Sequence, residues 1–212
     1  MIGSGNGNRP PVKAESRTRP DEDRNTSIPV GTEALRLRVQ QRSLREQLER
    51  NHFLLERLNA ASARLIQSLE HRDVHEAIAE IIANLIGSEE IAIFDYCPAR
   101  QNFSLAWSWD ADTGALQPFT AGAGMFGHAV QQGMSQFQER QPETAILPFE
   151  KNLTACVILK SSREIVGVIA IFGLLPQKNG LEWADYELLK FLETYAAVAI
   201  QFQKLSAKQV TP

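Results

Sequence analysis

Residues 154–173, TACVILKSSREIVGVIAIFG, constrain the fold more than any other part of the chain. Two apolar runs, 154–160 and 165–172, flank the polar Ser161-Ser162-Arg163-Glu164. Both runs are rich in Val and Ile and have the length of strands, and a short polar link suits a hairpin. In the second run both parities are apolar: Ile165, Ile169 and Ile171 on one, Val166, Val168 and Phe172 on the other. A strand with one wet face would alternate. This one is therefore expected inside a sheet that is covered on both sides. Gly167 in its middle has no side chain, which marks close approach by a neighbouring backbone or side chain.

Helices are the natural cover. Across 32–70, Leu37, Gln41, Leu44, Leu48, Asn51, Leu55, Leu58, Ser62, Leu65 and Leu69 are spaced alternately four and three apart. That is the heptad seam of a left-handed coiled coil. At 1.5 Å per residue it predicts a rod of roughly 60 Å. Arg36, Arg38, Arg42, Arg45, Glu46, Glu49, Arg50 and Glu56 form a solvated face around it. Gln41 and Asn51 in the seam favour one register and a low oligomer number. A rod of this length outruns a small domain and leaves leucines in water unless a second helix meets them, so a homodimer or higher assembly is expected. A second long helix is predicted over 181–208. There Leu188, Leu192, Tyr195, Ala199 and Phe202 repeat the same spacing and join the seam, and Phe191, Val198 and Ile200 widen the stripe. Asp185 or Asn179 suits its N-terminal end.

Between these lie shorter elements. Asp73 has the character of an N-cap before Val74, Ala77, Ile78, Ile81, Ile82 and Leu85, and Gly87-Ser88 closes that helix. Residues 91–96 read as a strand. In 102–110 the alternation places Phe103, Leu105, Trp107 and Trp109 on one face. This aromatic face has two readings: the core of the domain, or, with Phe119 and Phe126, the lining of a ligand pocket. Residues 111–124 read as a loop, 125–132 as a short helix ended by Gly133, 135–139 as a brief strand and 140–153 as a polar connection. Residues 1–31 carry no aromatic and no periodic apolar face and read as a disordered tail, either a solvated leader or a docking arm. The expected organisation is a tail (1–31), a coiled-coil helix (32–57, continuing to about 70), a domain (58–208) and a short C-terminal tail (209–212).

The totals exclude several classes. The chain has 212 residues, 43% apolar and 22% charged, with a net charge of −3. That balance gives no global attraction to nucleic acid or to an anionic membrane. No run approaches the ~18 apolar residues of a membrane span, and the first residues lack the apolar core of a signal peptide. A cytoplasmic protein is expected. Two cysteines, Cys97 and Cys156, are too few for a secreted disulfide framework, and no bridge between them is expected in that compartment.

The order of parts resembles the GAF domain family over roughly residues 58–208. LLERLNAASARLIQSLEHRDVHEAIAEIIANLIGSEEIAIFDYC is similar to the family's first two helices and first strand. GAGMFGHAVQQG resembles its glycine-flanked short helix through Gly124, Gly127 and Gly133. ACVILKSSREIVGVIAIFG resembles its closing hairpin, with the family's glycine at Gly167, and LEWADYELLKFLETYAAVAIQFQKL its last helix. The resemblance implies an α+β, PAS-like fold: a central antiparallel sheet, the terminal helices bundled on one face, and a small-molecule pocket on the other. It also implies a sensor that dimerises through those helices. Ile158 replaces the family's hairpin proline, and only about 15 residues separate the strand at 135–139 from the hairpin, where ligand-binding relatives often carry a longer lid.

Chemistry is sparse. The family's cyclic-nucleotide signature is absent, KNLTA at 151–155 being unlike it, and neither cysteine is followed by the histidine of a bilin site. Sulfoxide reduction on this fold uses three cysteines; Cys156 sits in an apolar run and reads as a core residue or as part of the pocket lining. His71 and His75 lack a third ligand for a metal. His128, on the short helix, reads either as an exposed polar residue or as a group that ligates haem iron or bonds an anionic ligand. No catalytic set is identified and no cofactor or metal is required. The expected function is a non-enzymatic sensory module with a small ligand or partner as input and a protein partner reached through the coiled coil or tail. The alternatives are a ligand-free scaffold that docks partners through the coiled coil and, less in keeping with the cysteine count, a sulfoxide reductase.

Overall fold

The structure is a computed structural model that describes residues 30–111, 119–120, 124–137, 148–162 and 164–209. The chain divides into two compact units between Arg45 and Glu46. In the first, the described residues belong to helix α1 (Val30–His71), and Leu35, Leu37, Val39 and Leu44 are exposed.

The second unit is built on one antiparallel sheet. Its strands are β1 (Ile91–Cys97), β2 (Asn102–Trp109), β3 (Phe119–Thr120), β4 (Gln136–Phe137), β5 (Ala155–Ser161) and β6 (Glu164–Ile171). Their order is β3-β2-β1-β6-β5-β4. β6 therefore lies inside the sheet, as its two apolar parities require. Gly167 faces Asp95 of β1 on one side and Leu159 of β5 on the other.

One face of the sheet is covered by α1, α2 (Val74–Ile81) and α4 (Trp183–Gln209). Ile91, Ile93, Val157, Leu159, Ile169 and Ile171 pack there with Ala61 and Leu65, Val74 and Ile78, and Leu188, Leu192 and Ala196. Each Val, Leu or Ile among them contributes about 2 kcal/mol when fully buried. α2 widens into a π turn, Ile82–Ile86, and stops at Gly87, whose φ of 83° is open to glycine and whose N–H donates to the Ile82 carbonyl at 2.9 Å. Asp73 stands at the N-cap of α2 without capping it; its carboxylate binds Arg64 at 2.8 Å instead.

The opposite, distal face carries α3 (Gly124–Gln132) and a 3₁₀ turn (Pro148–Asn152). Ala92, Phe94, Cys156, Ile158, Val168 and Ala170 pack there against Phe126, Ala129 and Leu153.

Two bulges correct the faces expected from alternation. Between β1 and β2 the register steps from Ile93–Trp107 to Phe94–Leu105, leaving Ala106 unpaired. One extra residue reverses the parity. Phe103 and Leu105 therefore belong to the distal face, whereas Trp107 packs on the helix face. The four residues do not share a face. Between β5 and β6 the register steps from Leu159–Gly167 to Lys160–Ile165, leaving Val166 extra. Val166 accordingly turns to the helices and Ile165 to the distal side.

The seam needs a correction too. Leu65, Leu188, Leu192 and Ala199 are buried in the domain's own core, and Leu58 and Leu69 pack against it. Heptad spacing marks a stripe that something covers; it does not say whether the cover is a partner or the same chain. Gln41, Asn51, Tyr195 and Phe202 are exposed, as are Leu37, Leu44, Leu48 and Leu55. The segment expected as loop contains β3, which pairs Phe119 with Phe103. The expected tail 1–31, save Val30 and Gly31, which already belong to α1, and residues 140–147 of the polar connection expected over 140–153 lie outside the described residues.

Candidate functional site

The distal face gathers part of the expected pocket lining. Phe103 and Phe126 meet edge to face at 5.7 Å, and Phe94 meets Phe126 in the same way at 5.5 Å. Phe149, from the 3₁₀ turn, closes on Phe126 at 5.6 Å, and Tyr96 leans on Phe103 at 5.0 Å. Such pairs are worth about 1 kcal/mol each beyond the area they bury. Cys156 belongs to this cluster and is fully buried. Burial pushes its thiol well above the ordinary range, and the Glu150 carboxylate pushes the same way. A thiol so placed is not a nucleophile, because only the thiolate attacks.

Three of the proposed lining residues are not in the cluster. Trp107 and Trp109 meet each other edge to face at 6.4 Å, and the bulge at Ala106 puts Trp107 on the helix side. His128 is exposed on α3. The side chain of Phe119 lies outside the described residues.

Sequence reasoning missed Glu150. It is wholly buried, and one carboxylate oxygen accepts the Phe126 N–H at 3.1 Å, in the first turn of α3. A carboxylate there meets the positive end of the helix dipole and an otherwise open backbone donor. Gly124 makes room for it: at φ 63° with Glu150 against its α-carbon, no side chain fits. The chain's own anion thus holds the helix terminus that would otherwise attract a ligand's phosphate or carboxylate. The signal lay in glycines 124 and 127 around a helix start, but its partner, more than twenty residues away, has no local mark.

The helix side presents a different surface. A groove of about 270 Å³ runs between the second half of α1 and α4, with Leu65 and Leu69 along one wall and Phe191 and Ala199 along the other. On its rims Ile66, Tyr195, Val198 and Phe202 are each half exposed or more. Phe191 and Tyr195 stack at 4.4 Å. Leu48 and Leu55 precede Ser62 and Leu69 at steps of seven, so the exposed stripe of α1 leads into the groove. Together these make a contiguous apolar surface of the kind that marks an interaction site. Among the described residues there is no group of three potential metal-ligating side chains, and no helix long and apolar enough to cross a membrane.

No protein-family model and no curated protein matches the chain. Solved structures do. The GAF domain of a phosphoenolpyruvate-protein phosphotransferase from Coxiella burnetii superposes with a TM-score of 0.58 at 11% identity, over 73% of this chain and 96% of that one. The corresponding domain from Acinetobacter gives 0.57 at 15%, over 74% and 98%. A free methionine-R-sulfoxide reductase from Neisseria meningitidis, solved with its substrate, gives 0.52 at 13%, over 72% and 89%. These likenesses are of fold, and the fold is that of GAF domains.

Proposed function

We propose that this GAF-fold chain is a non-enzymatic signalling or regulatory module. Two copies associate through the exposed faces of α1 and α4, and a small-ligand or partner signal received by the domain passes through α1 to another protein. The observation that carries the reading is the apolar groove between α1 and α4 with its exposed rim of Ile66, Tyr195, Val198 and Phe202. Side chains of this size are rarely left together in water on a monomer. A symmetric pair would cover the same patch on both copies. The proposed division of labour keeps residues 58–208 as the sensing domain and the preceding part of α1 as the output element.

A second reading, a ligand-free scaffold, is favoured by the packing of Phe94, Phe103 and Phe126, all fully buried, on the face where a ligand would sit. Thiol chemistry has no support from Cys156, whose surroundings keep it protonated. Native mass spectrometry of the protein purified from its own cells tests the choice. A dimer with a reproducible added mass supports the sensor. A dimer without one supports the scaffold.

A further inference from the structure

The link between β6 and α4 is anchored on both sides of one short exposed stretch. Before it, the Leu175 N–H donates to the Gly87 carbonyl at 2.8 Å and the Lys178 N–H to the Leu175 carbonyl at 2.8 Å. The Lys178 ammonium reaches the buried Asp185 carboxylate at 2.6 Å, where Arg57 also binds at 2.7 Å. After it, the Glu182 N–H donates to the same carboxylate at 2.7 Å, the reach-back bond of a capping box. Asn179 and Gly180 lie between these anchors, both exposed. Among the described residues, neither the Asn179 side chain nor the Gly180 N–H has a hydrogen-bond partner. The fold does not call for this glycine. Gly87 and Gly124 need a left-handed φ and Gly167 a close neighbour, whereas Gly180 has no positive φ and nothing within 4 Å of an added β-carbon.

An asparagine followed by glycine carries an electrophile and a nucleophile on adjacent residues. The Gly180 nitrogen gives up its proton and bonds to Cγ of Asn179, closing a succinimide ring. The side-chain amide nitrogen takes up a proton and leaves as ammonia. Water then opens the ring, at Cγ to give aspartate or at the backbone carbonyl to give isoaspartate. Water is the sole co-reactant, and nothing is oxidised or reduced. The reaction needs a nitrogen that holds no hydrogen bond, a backbone free to bring it onto Cγ, and little bulk on the residue that bears it. Glycine, without a β-carbon, meets the last need.

The other described asparagines each fail a requirement. Asn51 and Asn59 lie inside α1 and Asn84 in the π turn, where the ladder of N–H bonds fixes the backbone. Asn102 opens β2 ahead of the bulky, buried Phe103. Asn152 is exposed, but the Leu153 N–H that follows it donates to the Glu150 carbonyl at 3.0 Å.

We propose that Asn179 is a site of spontaneous covalent modification, deamidated through a succinimide with Gly180 in the folded protein. Either product sets an exposed carboxylate beside Lys178 in place of a neutral amide, so the surface ahead of α4 gains negative charge with time. The proposal is independent of the signalling reading and of the oligomeric state.

The test uses the full wild-type chain at mildly alkaline pH and physiological temperature, folded in one sample and unfolded in guanidinium chloride in another. Peptide mass spectrometry follows the conversion of amide to acid at each asparagine, with aspartate and isoaspartate separated by chromatography. The reading is by peptide because Asn6-Gly7 carries the same pair outside the described residues. In the folded sample Asn179 is expected to convert at least about tenfold faster than Asn152, and within about threefold of its own rate in the unfolded chain. Gly180→Ala, whose added carbon meets nothing in the fold, is expected to slow conversion at Asn179 about tenfold. A smaller ratio to Asn152, or a larger gap between the folded and unfolded rates, overturns the proposal. So does a Gly180→Ala chain that converts as fast as the wild type.

Discussion

Gly167→Ala tests the central register of the sheet. A methyl carbon at Gly167 would lie 2.4 Å from the Phe94 carbonyl oxygen. An unstrained carbon–oxygen approach needs about 3.3 Å, so β1 and β6 must part by about 0.9 Å. Phe94 cannot turn aside, because it is paired with Leu105 on one side and Val168 on the other. The obstacle is backbone rather than the end of a mobile side chain, which puts the cost near the top of the usual overpacking range, about 3 kcal/mol. With a urea m-value of about 2 kcal/mol/M the unfolding midpoint falls by about 1.5 M. Gly180→Ala is the control: nothing stands within 4 Å of its added carbon, and its midpoint should stay within about 0.3 M of the wild type. Gly167→Ala with a midpoint that close to the wild type would refute the packing of β6 against β1.

Two further outcomes follow from the titrating groups. Burial holds His75 below its ordinary range, Lys204 adds to the effect and Asp95 opposes it. The folded state thus binds the proton less readily than the unfolded state. Stability is full above about pH 6.5 and declines as pH falls through the depressed value. Urea midpoints at pH 7 and pH 5 should differ less in His75→Gln than in the wild type; an equal difference removes His75 as the cause. In the native protein, iodoacetamide at pH 8 should label the half-buried Cys97 and spare Cys156, with both labelled after unfolding, as read by peptide mass spectrometry. Native labelling of Cys156 at the rate of Cys97 would mean that the distal cluster opens.

The fold was legible where apolar pattern and chain geometry agree. The hairpin at 154–173 stood out because both faces of β6 are buried, and Gly167 stood out because no other residue fits its place. Helix ends at Gly87 and Gly133 carried their own glycines. What alternation could not carry was the pair of bulges. A single extra residue at Ala106 leaves the sequence pattern intact while sending Trp107 to the other side from Phe103. The seam shows a similar limit: Leu48 and Leu65 obey one spacing, yet Leu48 is 68% exposed and Leu65 buried in its own domain. Arg57, buried at 8% exposure, stood outside every pattern drawn from the sequence. Its partner, Asp185, was identified for the cap of α4, but the tie between them spans 128 residues and leaves no local trace.

The measurement that tests the account most directly is the solution mass of the wild-type chain beside that of Leu48→Asp/Phe202→Asp. Size-exclusion chromatography with light scattering at about 50 µM suffices, since a specific apolar interface holds at micromolar concentration. Both positions are exposed in the single chain, so the substitutions leave its core untouched. The account predicts twice the chain mass for the wild type and a folded monomer for the variant. A wild-type monomer, or a variant that pairs as well as the wild type, would contradict it.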